Sequence, residues 1–159
     1  MLTIERPFLN QILNHLQDCY PEEGCGLVAG DALGRVTAVY PIENSLHSPT
    51  RYQMNPQQQI EAMLDLENKG WQLVAIYHSH PHSQAFPSET DIHLAFYPEA
   101  FTMIVSLADR KTPSVRLFQI EEQTVTEIKL TVGNYSRGPV TLFLHVFVQI
   151  EGVCTPYTT

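Results

Sequence analysis

The chain is short of positive charge: Lys and Arg together number 9 against 17 Asp and Glu, a formal net charge of −8. No basic run breaks that balance, which excludes the electrostatic footprint of a non-specific nucleic-acid binder. Cysteine is scarce and odd in number, three in all, without motif spacing. That argues against a disulfide framework and fits a reducing cytoplasm. No apolar segment approaches the roughly 20 residues needed to span a bilayer, so no membrane partner is expected. The N-terminal stretch lacks the basic region and long apolar core of a signal peptide, because charges and Pro7 interrupt it. Internal repeats and low-complexity linkers are also missing. What remains is a chain of 159 residues, 43% of them hydrophobic, the size of one globular domain with a substantial core.

Along the chain, strand and helix patterns alternate. Residues 2–4 read as a short strand. Over 7–19, Phe8, Ile12, Leu13 and Leu16 recur at helical spacing, and Pro7 suits the first turn. Strands are predicted at 26–29 and 35–41 around a turn at 31–34, followed by a polar loop over 43–51. Asn55-Pro56 opens a second helix and Gly70 closes it; its Ile60, Met63, Leu64 and Glu67 are expected to face the core. The run 72–77 is apolar and rich in strand formers, and reads as a buried strand. A short helix is predicted over 88–95, then strands at 101–107, 115–120 and 125–132. Past a turn-rich stretch lies the apolar run 140–150, too short to cross a membrane. It reads as an additional strand, on the sheet or against a partner, or as a sticky edge favouring dimers. His145 within it reads as structural.

Chemistry concentrates where the buried strand ends. His78-Ser79-His80-Pro81 closes it, and Ser88 and Asp91 follow after residues 82–87. Successive strand side chains alternate faces, so His78 and His80 point to one side and Ser79 to the other, where it reads as structural. Pro81 ends ladder pairing, and His82 beyond it reads as loop. Ser88 reads as a helix N-cap with Asp91 one turn inside. Two imidazoles from a strand end and a carboxylate from a helix start supply three protein ligands and leave a fourth position open, as in catalytic zinc sites. Each half also has an ordinary reading: Ser-x-x-Asp is a capping box, and His-x-His is a polar surface pair. Their closeness, across a proline and a short loop, favours the metal site.

These residues match, without gap or substitution, the JAMM motif of the MPN-plus (JAB) metalloprotease family, and the chain resembles its compact prokaryotic type. That family also needs an upstream glutamate in a segment of the form Glu-x-Cys-Gly-x-Leu/Val-x-Gly. Here Glu23-Gly24-Cys25-Gly26-Leu27-Val28-Ala29-Gly30 fills it, with Glu22 alongside. Asn44, Ser48-Pro49 and Tyr52 resemble the family's connection into its second helix. The likeness implies an α/β (α+β) MPN/JAB fold, cytidine-deaminase-like, with a mixed central sheet flanked by helices. It covers a domain at 1–132; the extension at 133–159, an extra strand or irregular tail, lies outside the resemblance.

The resemblance further implies one Zn2+ per chain, held by His78, His80 and Asp91, which would lower the pKa of bound water from about 15.7 towards about 7. Glu23 is similar to the family's general base, and Ser88 to the residue that donates to the oxyanion. Ser88's capping role competes for the same hydroxyl. Read without the histidines, Pro21-Glu22-Glu23 is a solvated acidic turn. Cys25, between small and apolar residues, reads as packing rather than nucleophile. The implied substrate is a ubiquitin-like or sulfur-carrier protein with a C-terminal Gly-Gly tail. The short loop at 43–54, and the few residues at 96–100 before the next strand, favour a small carrier added as a strand along a sheet edge. A homodimer is compatible with this reading. Two alternatives stand beside it: a metal-free MPN scaffold, although all five motif residues are present, and a RadC-like DNA-associated protein, although the charge is acidic.

Overall fold

The computed structural model describes residues 1–133. The extra strand or tail expected beyond them, and the dimer contact assigned to it, lie outside the described residues. In chain order the elements are β1 (Leu2–Glu5), α1 (Arg6–Cys19), β2 (Cys25–Gly30), β3 (Val36–Ile42), α2 (Pro56–Asn68), β4 (Gln72–His80), α3 (Glu89–His93), β5 (Phe101–Ser106), β6 (Ser114–Glu121), β7 (Thr124–Ile128) and β8 (Leu130–Gly133). Six strands form one mixed sheet in the order β3-β2-β4-β5-β6-β7. All neighbours in it run antiparallel except β4 and β5, which are parallel. The fold is thus the mixed α+β arrangement that the resemblance implies. Among the described residues no helix is long and apolar enough to cross a membrane.

The sheet positions the chemistry by burying one strand on both faces. β4 lies between β2 and β5, and Tyr77, His78, Ser79 and His80 at its end are all buried. Alternation then sorts its side chains. Ala75 and Tyr77 join the core beneath α1, which contributes Leu9, Ile12 and Leu16, while Ile76 packs against the cluster under α2. Leu9, missed by the sequence pattern, is in that core, whereas Phe8 and Leu13 are only partly buried at its margin. Strand pairing sets Cys25 opposite His78 on one side and Ile104 opposite it on the other. Both of His78's neighbours are therefore held by ladder hydrogen bonds, which is why a buried polar side chain can keep one position here.

Three expectations are corrected. Of the stripe Ile60, Met63, Leu64 and Glu67, only Met63 packs against the core, and partly: Ile60 is 56% exposed, Leu64 53% and Glu67 is exposed, while Ala62 and Leu66 are the buried residues of α2. The helix is rotated so that Asp65 accepts the Tyr40 hydroxyl at 2.7 Å, and the small Ala62 lets it approach the sheet. The strand expected over 125–132 is broken at Lys129, where β7 leaves the main sheet and β8 pairs in parallel with β1. The Lys129 carbonyl accepts from Leu2 N–H at that break. The third helix stops at His93 rather than running to Ala95, a single turn with Leu94 as its C-cap.

Gly26 marks the tightest point of the sheet. A Cβ there would overlap the carbonyl oxygen of Tyr40 and the hydroxyl of Tyr77, one backbone atom and one buried ring, neither free to yield. Gly26→Ala is therefore expected to destabilise the protein by about 2 kcal/mol or more, read as a lower urea midpoint at unchanged m-value. A midpoint equal to the wild type's would show that the sheet has room that its geometry denies.

Candidate metal centre

His78 and His80 reach the same face of β4, and their Nε2 atoms stand 3.1 Å apart. Across from them, Asp91 Oδ1 lies 3.4 Å from His78 Nε2 and Oδ2 lies 3.4 Å from His80 Nε2. One ligand atom from each residue falls within 4.8 Å of the others, the one such group of three His, Cys, Asp or Glu residues among the described residues. Two imidazole nitrogens and a carboxylate oxygen converging from two elements form a donor set suited to a borderline-soft divalent cation such as zinc.

Each of the three is held differently. His80 Nδ1–H donates to the Gln84 carbonyl at 2.9 Å, which fixes the tautomer and leaves Nε2 facing the cluster. Asp91 is bound by its own helix start. Ser88 N–H and the Ser88 hydroxyl both donate to Oδ2, at 2.7 and 2.6 Å, while Asp91 N–H donates back to Ser88 Oγ at 3.2 Å. The capping box is thus real, and here it orients a carboxylate rather than merely ending a helix. The hydroxyl of Ser88 is engaged by Asp91 in this arrangement. His78 is fully buried, and its Nδ1 has no hydrogen-bond partner among the described residues. The Tyr52 ring stacks on it instead, with centroids 4.7 Å apart and planes 28° from parallel.

Glu23 approaches from the turn between α1 and β2, and only 5% of it is exposed. Its backbone is clamped on both sides. Glu23 N–H donates to the Ser48 carbonyl at 2.8 Å, and the Glu23 carbonyl accepts from Asn44 Nδ2 at 3.0 Å. Next to it, Gly24 N–H donates to the Ser79 hydroxyl at 2.9 Å. Ser79, which points away from His78 and His80, thereby ties the Glu23 turn to β4. Glu22 turns outward and meets His47 Nδ1 at 3.1 Å. Of the two adjacent glutamates, Glu23 is the buried one.

Burial and mutual charge set the protonation of the cluster. Burial pushes the Glu23 carboxyl up to about 7, with His80 pulling it down and Asp91 adding to the rise. Complete burial lowers the pKa of His78 below the usual imidazole value. For His80, burial also disfavours the charged ring, but hydrogen bonds to Asp91 and Gln84 outweigh it and raise the pKa. Burial alone would raise the Asp91 carboxyl. The two imidazoles and Ser88 outweigh it and hold that group well below the usual carboxylate range. A carboxylate kept ionised beside two imidazoles, and a second carboxyl poised near neutrality, are two different environments within one site.

Three contributors escaped the sequence reading. Asn44 uses all of its hydrogen-bonding capacity: beyond Glu23 it donates to the Arg51 carbonyl and accepts from Leu46 and Gln53 N–H. Tyr52 supplies the stacked ring, and Gln84 only a carbonyl. Asn44 and Tyr52 were visible as points of likeness, but nothing in their spacing reveals these contacts. Cys25 is buried, and burial pushes its thiol up to about 12, consistent with packing. His82 is exposed, with its ring edge-on to Tyr20, outside the cluster.

Comparison with known proteins places this geometry among relatives. The chain is 32% identical over 133 residues to the CysO-cysteine peptidase of Mycobacterium tuberculosis, covering 83% of this chain and 91% of that protein. It is 36% identical over 123 residues to a probable TtuB-protein conjugate cleaving protease of Thermus thermophilus, covering 77% and 78%. A protein from Desulfitobacterium hafniense, solved in solution, superposes with a TM-score of 0.78 at 33% identity over 86% of this chain and 96% of its own. Residues 5–121 match the family described as prokaryotic homologs of the JAB domain. With that match spanning the site from Glu23 to Asp91, the chain belongs to the prokaryotic JAB family.

Proposed function

We propose that the protein is a JAMM-type zinc peptidase that hydrolyses the bond following the C-terminal Gly-Gly of a ubiquitin-like or sulfur-carrier protein. The observation that carries this reading is the convergence of His78, His80 and Asp91 beside the buried Glu23. A donor set alone would fit a structural clip; a buried carboxyl beside it, able to take and return a proton, fits hydrolysis. The named activities of the mycobacterial and Thermus relatives support the choice of substrate.

His78, His80 and Asp91 would hold the zinc, which when bound acts as a Lewis acid and brings the pKa of water towards neutrality. The reaction consumes one water, breaks the bond between the terminal glycine carbonyl and the leaving group, and frees a carboxylate. Glu23 takes a proton from the attacking water and passes it to the leaving nitrogen or sulfur. Asn44 and Ser48 fix the Glu23 backbone, so the carboxylate needs little reorganisation between those two transfers. Ser88, at the edge of the same cleft, donates to the developing oxyanion by rotating its hydroxyl away from Asp91.

A cleft beside the site suits an extended tail. It is lined beside Ser88 and Asp91 by Tyr52, Met54, Leu94 and Phe96, and it continues past Pro56, Gln59 and Tyr97 to Ile60, Met63 and Leu64 on α2. The outward apolar residues of α2 thus border a groove that leads to the ligands. In this reading the Gly-Gly tail lies in the narrow end, and the carrier's folded body rests on α2.

Four measurements test the proposal. With a sulfur-carrier protein fused through its terminal glycine to cysteine or a short peptide, cleavage should require zinc and stop on chelation. Glu23→Gln should lower kcat by about 10²- to 10⁴-fold while zinc binding persists; cleavage at the wild-type rate would remove Glu23 from its role. His80→Ala and Asp91→Ala should instead lose the metal, read by metal content after dialysis, and retention of zinc by both would refute the ligand assignment. Ile60→Asp with Leu64→Asp should raise KM about tenfold with little change in kcat. An unchanged KM would place the carrier elsewhere.

A further inference from the structure

The two histidines of the site are supported unequally. His80 has the partner a ligating imidazole ordinarily has, a carbonyl accepting its far N–H, here Gln84 at 2.9 Å. His78 has none: its Nδ1 is buried without a partner among the described residues. A neutral imidazole that offers Nε2 to a metal carries its proton on Nδ1, so among the described residues no hydrogen bond at that far nitrogen fixes the tilt of the His78 ring. What lies against that ring is Tyr52, at 4.7 Å and 28°.

Tyr52 is itself unusually well held for a loop residue. The carbonyl of Arg51 before it and the N–H of Gln53 after it both bond to the side chain of Asn44, at 3.0 Å each. The same amide donates to the Glu23 carbonyl. Asn44 is buried and satisfied in full, and the Tyr52 ring packs against the Cys25, Leu27, Ile42 and Met54 cluster. One side chain therefore brackets the aromatic residue and reaches the base segment at once.

We infer that Tyr52, braced by Asn44, is the positioning residue for the His78 imidazole, its stacked ring doing for His78 what the Gln84 carbonyl does for His80. The inference rests on the reading of His78, His80 and Asp91 as metal ligands. It assigns the work to the ring face, not to the phenol oxygen. It also makes the loop between β3 and α2 a shared support, so that the tilt of one ligand and one of the two clamps on the Glu23 backbone run through a single amide.

The test reads zinc affinity without substrate, by competition of the full-length protein with a chromophoric chelator. Tyr52→Leu should weaken zinc binding by about 10- to 100-fold, the range seen when the supporting partner of a ligand is removed. Tyr52→Phe, which keeps the ring, should bind as the wild type does. Loaded with Co2+, Tyr52→Phe should reproduce the visible ligand-field bands of the wild type and Tyr52→Leu should shift them. Should Tyr52→Leu fail to fold, Tyr52→Met carries the same expectation with more of the volume retained. Wild-type affinity in the leucine or methionine variant would overturn the inference, as would a loss in Tyr52→Phe as large as in Tyr52→Leu. If the wild-type protein itself takes up no zinc or cobalt, the ligand reading fails first, and this inference with it.

Discussion

Three ionisable side chains drawn out of water into one small volume are a liability unless they satisfy one another. His78 is wholly buried, His80 nearly so, and Asp91 contacts both. Leaving any one of them without its partners would cost several kcal/mol of desolvation. The surrounding structure can be understood as the means of holding this set together. β4 runs between two hydrogen-bonded neighbours, α3 is a single turn closed by its own capping box, and the Glu23 turn is pinned by backbone contacts from a distant loop. Their precision comes from these ties.

The division of labour between the two faces of β4 follows from strand alternation. Tyr77 faces α1, where its hydroxyl meets His15 Nδ1 at 3.0 Å and closes over Gly26. Ser79 faces the same way and reaches back to Gly24. Tyr77 and Ser79 thus anchor the strand from behind while His78 and His80 project in front. Substitutions on the hidden face would reach the site through the backbone, even though they touch none of its atoms.

Much of this was legible in the sequence, and the exceptions share a cause. The apolar run before His78, the alternation of His78 and His80, and the Ser88 cap are local patterns, and the structure reproduces them. The rotation of α2 was not legible, because Ile60, Met63 and Leu64 make as convincing a stripe as the true one. The choice is made by Tyr40 and Asp65, 25 residues apart in sequence. The break at Lys129 depends on Leu2, at the opposite end of the described chain. Asn44 shows no periodic pattern: one of its four bonds is the local turn to Leu46, two more close its own loop at Arg51 and Gln53, and the fourth reaches Glu23, 21 residues back. Periodicity reports which residues prefer burial; it does not report which face a neighbour leaves room for.

The pairing of β1 with β8 has a consequence for the order in which the molecule forms. Leu2 pairs with Leu130 and Glu5 with Gly133, so this parallel ladder closes almost the whole described chain into one loop. The entropy lost in such a closure grows with loop length, and contacts at long separation form slowly. The antiparallel strands β5, β6 and β7 can assemble from near neighbours, whereas the first strand must wait for the last. Of the described ladders the β1–β8 seam thus carries the largest loop-closure cost, while the strands that hold His78 and His80 pair with nearer neighbours in the middle of the chain.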